Sequence, residues 1–457
     1  MVVGAGLAGL VVARELVAKG HEVSVLEAQD RAGGRILTLR EPLAEGLHVE
    51  AGAKHVVPDP DLLALCASAR VEVVKPKRPE PLKRVTYAHG ARSILDPHGE
   101  TDEDADLSDA ERKLGFRERL QHYLPPGAIH GADWLRPQLA PYDAVSIGEF
   151  LKRQGASPGY VRMIEGSIVP GDPDNTSALS VIREMASIVR ELGLPPNGGR
   201  VVGGTDRLPE ALAKELGERV LYEAEVKRIE QKPERVRVLF VRKGRVHAVD
   251  ADRVVVAIPY SVLRGVEISP TLSPQKQKAI REMKLVSVSR VWLQSTNRYW
   301  NLRGESGDAS SDLLVGDVKD ETAALPGPKG VLSAYLSNAK AREMCTRPPP
   351  ERVMTALSDF EKIHPGMGDH LSVGLVKCWD EEPFAKGAYA WFAVGQMTEF
   401  GSALHAPEGR LHFAGDHTSN RPGFMHGAVE SAKRAAAEVL AALTPKPTSV
   451  TDERPRA

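Results

Sequence analysis

The sequence predicts an α/β fold, and three observations predict it. Met1-Val2-Val3, the turn Gly4-Ala5-Gly6-Leu7-Ala8-Gly9, a helical pattern to about Gly20 and the apolar run Val23 to Leu26 closed by Glu27 read as strand, glycine turn, helix, strand and acidic residue. A further glycine turn at Gly203 to Pro209 and strand patterns at Val254 to Pro259 and Arg410 to Ala414 continue the same architecture. Between these segments lie one stretch of short alternating runs broken by prolines and one stretch of helical periodicity. A Rossmann-like domain assembled from separate segments, an α+β second domain and a helical insertion satisfy all three.

The opening unit has the form that holds the ADP half of a dinucleotide. Gly4 permits the tight turn, Gly6 lets the backbone approach a pyrophosphate, and Gly9 lets helix and strand pack closely, so the helix N-terminus points free N–H groups at the phosphates. Glu27 follows about 20 residues on, where a carboxylate takes the ribose hydroxyls. A lone GxGxxG occurs in ordinary turns; the ordered context is what specifies a dinucleotide. Directly after the acidic strand, Arg31 and Gly33-Gly34-Arg35 form a second glycine turn. It resembles the FAD-binding signature of the glutathione-reductase-like flavoproteins, in which amides and a guanidinium meet the pyrophosphate from the far side; a solvated loop arginine is the plain alternative for Arg35. The resemblance makes the α/β unit a Rossmann-like FAD-binding domain of glutathione-reductase-like type.

At 457 residues the chain is too long for one core and suggests two or three domains. The FAD-binding domain is expected from residues 1–75, 197–265 and 406–445, the substrate-binding domain from 76–100 and 266–405, and the helical insertion from 101–196. A formal charge of −1 with 26% charged residues creates no global field for nucleic acid or a membrane surface. Cys66, Cys345 and Cys378 are scattered without metal spacing, which predicts no metal site, no disulfide framework and a reducing, cytoplasmic compartment. The apolar start from Val2 to Val12 lacks a basic leader and is broken by three glycines, so it does not read as a signal peptide. No run of about 18 apolar residues marks a membrane span, and the polar tail after Leu443 is expected to fray. Only three residues precede Gly4, so the first strand is short unless the chain starts upstream.

In chain order, Gly52-Ala53 within Glu50 to His55 follows a strand and marks another place where backbone approaches a flat ring, and Leu62 to Ala69 is a short helix. Pro76, Pro79, Pro81 and Pro97 punctuate alternating runs such as Val85-Thr86-Tyr87, read as strands of the second domain. Residues 101–122 combine charge with leucines at helical spacing, a solvated amphipathic helix. Ser146 caps a helix start, and Tyr160 to Ile168 and Ala178 to Leu192 are further helices. Gly203 to Pro209 leads into a helix, Val220 to Ile229 is a strand, and Arg235 to Val241 pairs with Val246 to Val249. Val286 to Gln294 is one long strand that puts Val288, Arg290 and Trp292 on a single face. An arginine between apolar neighbours is unusual there; a solvated arginine on an edge strand is the ordinary alternative. Residues 301–377 read as loops, strands and one helix near Pro350 to Ile363, without chemistry. Pro422 to Ala432 opens a long alanine-rich helix whose small residues permit close packing and whose positive end would face a flavin pyrimidine.

Gly4 to Thr38, Gly203 to Pro209, Val256 to Pro259, Gly387 to Tyr389 and Phe413 to Ala436 together resemble the flavin-containing amine oxidase family, which includes monoamine, polyamine and L-amino-acid oxidases. The resemblance implies that Gly4, Gly6, Gly9, Glu27, Arg31, Gly34 and Arg35 bind the ADP and pyrophosphate of FAD, with Gly52, Ala53 and Gly415 also on the cofactor. It puts Val226 at the adenine, Asp416 at the ribityl chain and the Met425 backbone at the pyrimidine edge. Tyr389 and Phe424 fall on the two aromatic positions that flank the substrate amine, and Trp379 on the site wall. Covalently flavinylated members carry a cysteine just before the first of those aromatics; Ala388 stands here, which implies non-covalent FAD. Two positions depart from the family. Arg290 stands where most members have a lysine holding a water near the flavin, and arginine is a planar fork rather than a base. Lys54-His55 stand where many L-amino-acid oxidases carry a carboxylate-binding arginine.

Oxidising a C–N bond on a flavin needs a neutral amine with its α-hydrogen held in a dry, apolar slot. Tyr389 and Phe424 would supply the slot, with cation–π attraction for the arriving ammonium; two core aromatics are the plain alternative. The implied reaction is FAD-dependent oxidation of an L-α-amino acid to its imine, then to keto acid and ammonia, with O2 reduced to H2O2. The alternatives are an oxidase of a primary amine or polyamine, which would call for acidic residues around the slot, and a flavin-dependent dehydrogenase, desaturase or non-catalytic flavin binder. The expected partners are a small amine or amino acid and O2, with no nucleic acid and no membrane, and with a homodimer as a candidate assembly.

Overall fold

The computed structural model of the protein describes residues 1–44, 46–77, 82–96, 106–128, 133–167, 169–193 and 198–443. Pro79, Pro81, Pro97, residues 101–105, Ile168 and the tail from residue 444 lie outside the described residues. Five parallel strands form the first sheet in the order Leu411–Phe413, Val254–Val256, Val2–Val3, Val25–Leu26 and Val220–Leu221. Strands from three distant stretches of sequence thus lie side by side. Their β-branched residues are buried, as a parallel sheet covered on its faces requires. The Leu7–Ala18 and Met425–Leu443 helices pack into one core with Val2 and Val25, and the buried small residues Ala432 and Ala435 belong to it. Burying each Val or Leu side chain fully contributes about 1.5–3 kcal/mol.

The stretch expected as one strand from Val220 to Ile229 is two. Val220–Leu221 completes the parallel sheet, the chain turns at Glu223 with φ of 57°, and Glu225–Gln231 starts a second, four-stranded sheet with Val236–Arg242, Arg245–Ala251 and Glu267–Ser269. The expected 101–122 helix is also broken. Ser108 caps a short Asp109–Arg112 helix through a reciprocal box with Glu111, and Gly115 begins a separate Phe116–His122 helix. Ala178–Leu192 forms as one helix capped by Ser177, and Ser146 caps Ile147–Arg153.

The third sheet has seven strands, ordered Leu371–Cys378, Val288–Ser295, Gly330–Ser337, Val318–Asp320, Glu305–Ser311, Lys83–Ala88 and Ala91–Leu95. The strand carrying Arg290 is therefore interior, with Tyr335 opposite on one side and Lys377 on the other. That removes the edge-strand reading. The strand starts at Val288 rather than Val286, whose N–H donates instead to the Tyr389 carbonyl at 2.9 Å, and runs one residue past Gln294 to Ser295. Cys345, in the Asn338–Thr346 helix, and Cys378, at the end of its strand, are joined by a disulfide across 33 residues. The expectation of no disulfide is corrected: sequence spacing does not say which helix meets which strand end. With it goes the support that the cysteines gave to a reducing compartment. Among the described residues no group of three or more His, Cys, Asp or Glu could hold a metal ion, and no helix is long and apolar enough to cross a membrane.

Candidate active site

A cleft of about 2430 Å³ runs from the first glycine turn, past Gly52 and Ala53, to the face of the seven-stranded sheet. At one end its lining is main chain. Gly4 has φ of 100°, and a Cβ there would lie 2.8 Å from Ile258, so only glycine fits the turn. A Cβ on Gly9 would lie 2.0 Å from the Gly4 carbonyl oxygen: this residue lets the helix lie on the strand and does not itself line the cleft. Gly6, by contrast, has nothing within 4 Å of its would-be Cβ and faces the open cleft. The helix that starts there has no side-chain cap and no acidic residue in its first turn, which leaves its N–H groups and positive end for an anion. That cradle fits a pyrophosphate.

Glu27 is only 5% exposed; burial raises its pKa, which its backbone hydrogen bonds partly offset. Its two oxygens accept the N–H groups of Ala5 at 2.7 Å and Gln29 at 2.9 Å, so it ties the glycine turn to the acidic strand as well as lining the cleft. Arg31 is placed differently from the implied pyrophosphate contact. Its guanidinium donates to the carbonyls of Gly34, Ala32 and Ile36 at 2.9 to 3.3 Å and braces the second turn from behind. Gly33 and Gly34 have φ of 104° and 57°, and Gly34 faces Gly6. Arg35 lines the cleft and pairs with Asp416 at 2.5 Å while donating to the Ala388 carbonyl at 2.7 Å. Burial pushes the Asp416 carboxyl up, but Arg35 and the Gly423 N–H hold it below its ordinary range. Val226, Gly415, Asp416 and Met425 all line this cleft. Gly415, at φ of 127°, donates its N–H to Ser431.

At the other end the lining is side chains. Trp379 is 2% exposed and donates its indole N–H to the Ala51 carbonyl at 2.8 Å. Tyr389 packs on Gly423, where a Cβ would lie 3.2 Å from its ring, and Phe424 follows directly with its ring 5.3 Å from that of His426. Arg290 is 7% exposed; its Nη1 donates to the Gly52 carbonyl at 3.1 Å and its buried Nε has no hydrogen-bond partner. Burial lowers its pKa. Gly52 is demanded by packing, since a Cβ there would lie 1.9 Å from the Arg35 carbonyl oxygen.

Two residues from the stretch read as chemically silent belong to this wall. Tyr335 is 47% exposed because its ring opens onto the cleft; it lies under the Arg290 guanidinium, 5.7 Å from ring centre to Cζ. Glu321 binds Lys54 at 2.6 Å, lies 3.4 Å from Arg200 and accepts from Ser333 at 2.7 Å. Burial lowers the Lys54 amine to about 8, against the pull of Glu321, whereas Glu321 is held at about 2 by Lys54 despite its burial. His55, next to it, is lowered by burial and its cationic neighbours to about 4 and is neutral. The signal that could have found these residues is the sheet register that sets Tyr335 opposite Arg290, and single-sequence periodicity does not contain it.

Residues 7–440 match the family described as flavin containing amine oxidoreductase. An L-amino-acid oxidase of Siganus canaliculatus is 29% identical, over 96% of this chain and 84% of its own length. A flavin-containing amine oxidase of Oncorhynchus mykiss is 27% identical, over 96% of this chain and 85% of its own. A putrescine oxidase solved with putrescine bound is similar in structure, with a TM-score of 0.82 and 25% identity over 96% of this chain and 98% of that one.

Proposed function

Because the chain belongs to the flavin-containing amine oxidoreductase family, we propose that it oxidises the C–N bond of an L-α-amino acid, yielding the imine and then keto acid and ammonia. Its class is an FAD-dependent oxidase of amines or amino acids, with FAD held non-covalently. FAD when bound supplies the two-electron acceptor for the hydride that leaves the substrate Cα. The protein's own residues do the rest. The aromatic pair Tyr389 and Phe424 orients the amine, Trp379 keeps the wall dry, and the ammonium proton passes to solvent water on entry, before the α-hydrogen moves, so no strong protein base is required. Dioxygen as the acceptor, giving H2O2, and a homodimeric assembly complete the reading.

The observation that carries the choice of an amino acid is Arg290. A guanidinium 7% exposed, lining the cleft with an unpartnered Nε and its Cζ 5.5 Å from the Trp292 ring centre and 5.7 Å from that of Tyr335, is a costly group to leave unused. A substrate carboxylate in the cleft would accept from the edge of this guanidinium, its Nη groups, with Tyr335 beside it. Glu321, a carboxylate of the same wall, is already taken by Lys54 and Arg200. A peroxide-coupled screen of the twenty L-amino acids, several D-forms and common amines on the purified yellow protein tests this. An L-amino acid should be turned over best; best turnover of a diamine or a simple amine would overturn the assignment.

A further inference from the structure

We propose that the cleft selects amino acids of net negative charge, those bearing a second carboxylate, through a basic mouth at the head of the strand that carries Arg290. This rests on the reading of the substrate as an amino acid. Lys284, Lys319, Lys340, Arg342 and Lys386 all line the cleft, and all but Lys319 are exposed. Backbone hydrogen bonds stitch their segments into one rim. Val286 donates to the Tyr389 carbonyl and Ala388 to that of Val286, each at 2.9 Å, which joins the segment of Lys284 to that of Lys386. Asn338 donates to the Ser287 carbonyl at 2.9 Å, and Arg342 reaches the Ser287 hydroxyl at 3.5 Å, which brings in the helix of Lys340.

The rim is not neutralised. Asp317 lines the cleft next to Gly316, whose would-be Cβ lies 3.9 Å from the Lys340 amine. Glu282, a second carboxylate on the lining, is paired with Arg281 at 2.9 Å, while Glu165 and Asp172 line the cleft on the side of Trp391, over whose ring the Lys284 amine lies. Over the whole lining twelve Lys and Arg side chains face eight Asp and Glu, an excess of four positive charges. Arg290 stands three residues along from Ser287, about 10 Å inward at a strand rise of roughly 3.3 Å per residue. The lining is therefore positive in net, and the low-dielectric walls of a cleft concentrate its field. A net anion is drawn in along this path, a zwitterion gains little, and a diamine is repelled.

The test uses holoenzyme and L-glutamate against L-glutamine, which differ by one charge at nearly equal shape. At low salt kcat/KM should favour L-glutamate by roughly tenfold or more, and the advantage should collapse near 0.5 M salt, where the screening length falls to a few Å (about 3 Å at 1 M). The kcat ratio should change little. In a Lys340→Glu/Arg342→Glu variant the glutamate advantage and its salt dependence should both disappear, while L-glutamine is turned over as before; the milder Lys340→Gln/Arg342→Gln pair should fall between. Titration of glutarate and of 1,5-diaminopentane into the flavin absorbance gives a readout without turnover. Salt-sensitive, variant-sensitive binding of glutarate without oxidation of any amino acid would keep the anionic mouth and sink the substrate reading. L-Glutamine equal to or better than L-glutamate at low salt, or diamine binding as tight as glutarate, would overturn the proposal.

Discussion

Gly4, Gly6, Gly33 and Gly34 present one end of the cleft with little besides main chain, whereas the other end is walled by the side chains of Arg290, Tyr335, Trp379 and Tyr389. The first end is local: the glycines that shape it lie within about thirty-five residues of one another, Gly4 and Gly9 explained by what a Cβ would strike and Gly6 by the open cleft it faces. The second end is assembled from afar. Arg290 and Tyr335 meet only because two antiparallel strands pair in one register, and Trp379 reaches the cleft by way of the Ala51 carbonyl. A site made of backbone holds one shape of ligand whatever side chains surround it. A site made of side chains can change its ligand by single substitutions while the fold stays put, which is why membership in the family specifies the cofactor and leaves the substrate to be argued.

Substitutions at the two ends should therefore fail differently. Gly9→Ala forces a methyl to within 2.0 Å of the Gly4 carbonyl oxygen, so the loss should reach or pass the upper end of the about 1–3 kcal/mol usual for overpacking. The expected result is little folded protein of any kind, read as yield and thermal midpoint; a stable yellow Gly9→Ala protein would mean that helix and strand can part. Phe424→Ala should spare both fold and FAD, yet slow anaerobic flavin reduction on the order of 100-fold through a misplacement of about 1 Å. Should it instead cost about 3–5 kcal/mol of stability with reduction unchanged, Phe424 is core and the aromatic slot must be withdrawn. Gly6→Ala has open space for its methyl, so the apoprotein should melt as wild type. FAD binding should weaken by about 1–3 kcal/mol, roughly 5- to 150-fold, because the methyl enters the ligand's space. Unchanged FAD retention would place the pyrophosphate elsewhere.

The same contrast decides which residues are legible in the sequence and which are not. Gly4, Gly6, Gly9 and Glu27 can be read because their roles follow from spacing inside one strand-turn-helix-strand unit, and Ala178–Leu192 because fifteen residues of helical periodicity outvote local accidents. Arg290 stands out as odd on its strand face, but its burial depends on the strand being interior. Tyr335 and Glu321 are invisible, since a tyrosine and a glutamate in alternating sequence are ordinary until register puts them on a cleft. Arg31 misleads through its neighbourhood: next to a glycine turn it can reach a phosphate or the turn's own carbonyls, and three carbonyls within 3.3 Å win. The split of the expected 101–122 helix turns on Gly115 and the Ser108 box, and the disulfide on a helix packing against a strand end, both tertiary facts.

The smallest expected effect probes the side-chain end by pH. Lys54 is lowered to about 8 by burial, and Glu321 is held at about 2, so between these values the pair carries one charge of each sign. As pH rises through about 8, Lys54 loses its proton while Glu321 stays ionised, and the wall beside Arg290 becomes more negative by one charge. Affinity for an anion must then fall with rising pH, not with falling pH. Glutarate is the right ligand to read this, because its carboxylates do not titrate there, whereas a substrate amine would. Its dissociation constant should weaken by roughly 3- to 10-fold between about pH 7 and 9, ~1 kcal/mol, the scale of one screened charge about 10 Å away. Lys54→Gln should flatten that profile by removing the titrating group. A wild-type profile already flat over this range would show that Lys54 does not set the potential at the Arg290 wall, and the side-chain end would then owe its charge to Arg290 and the mouth alone.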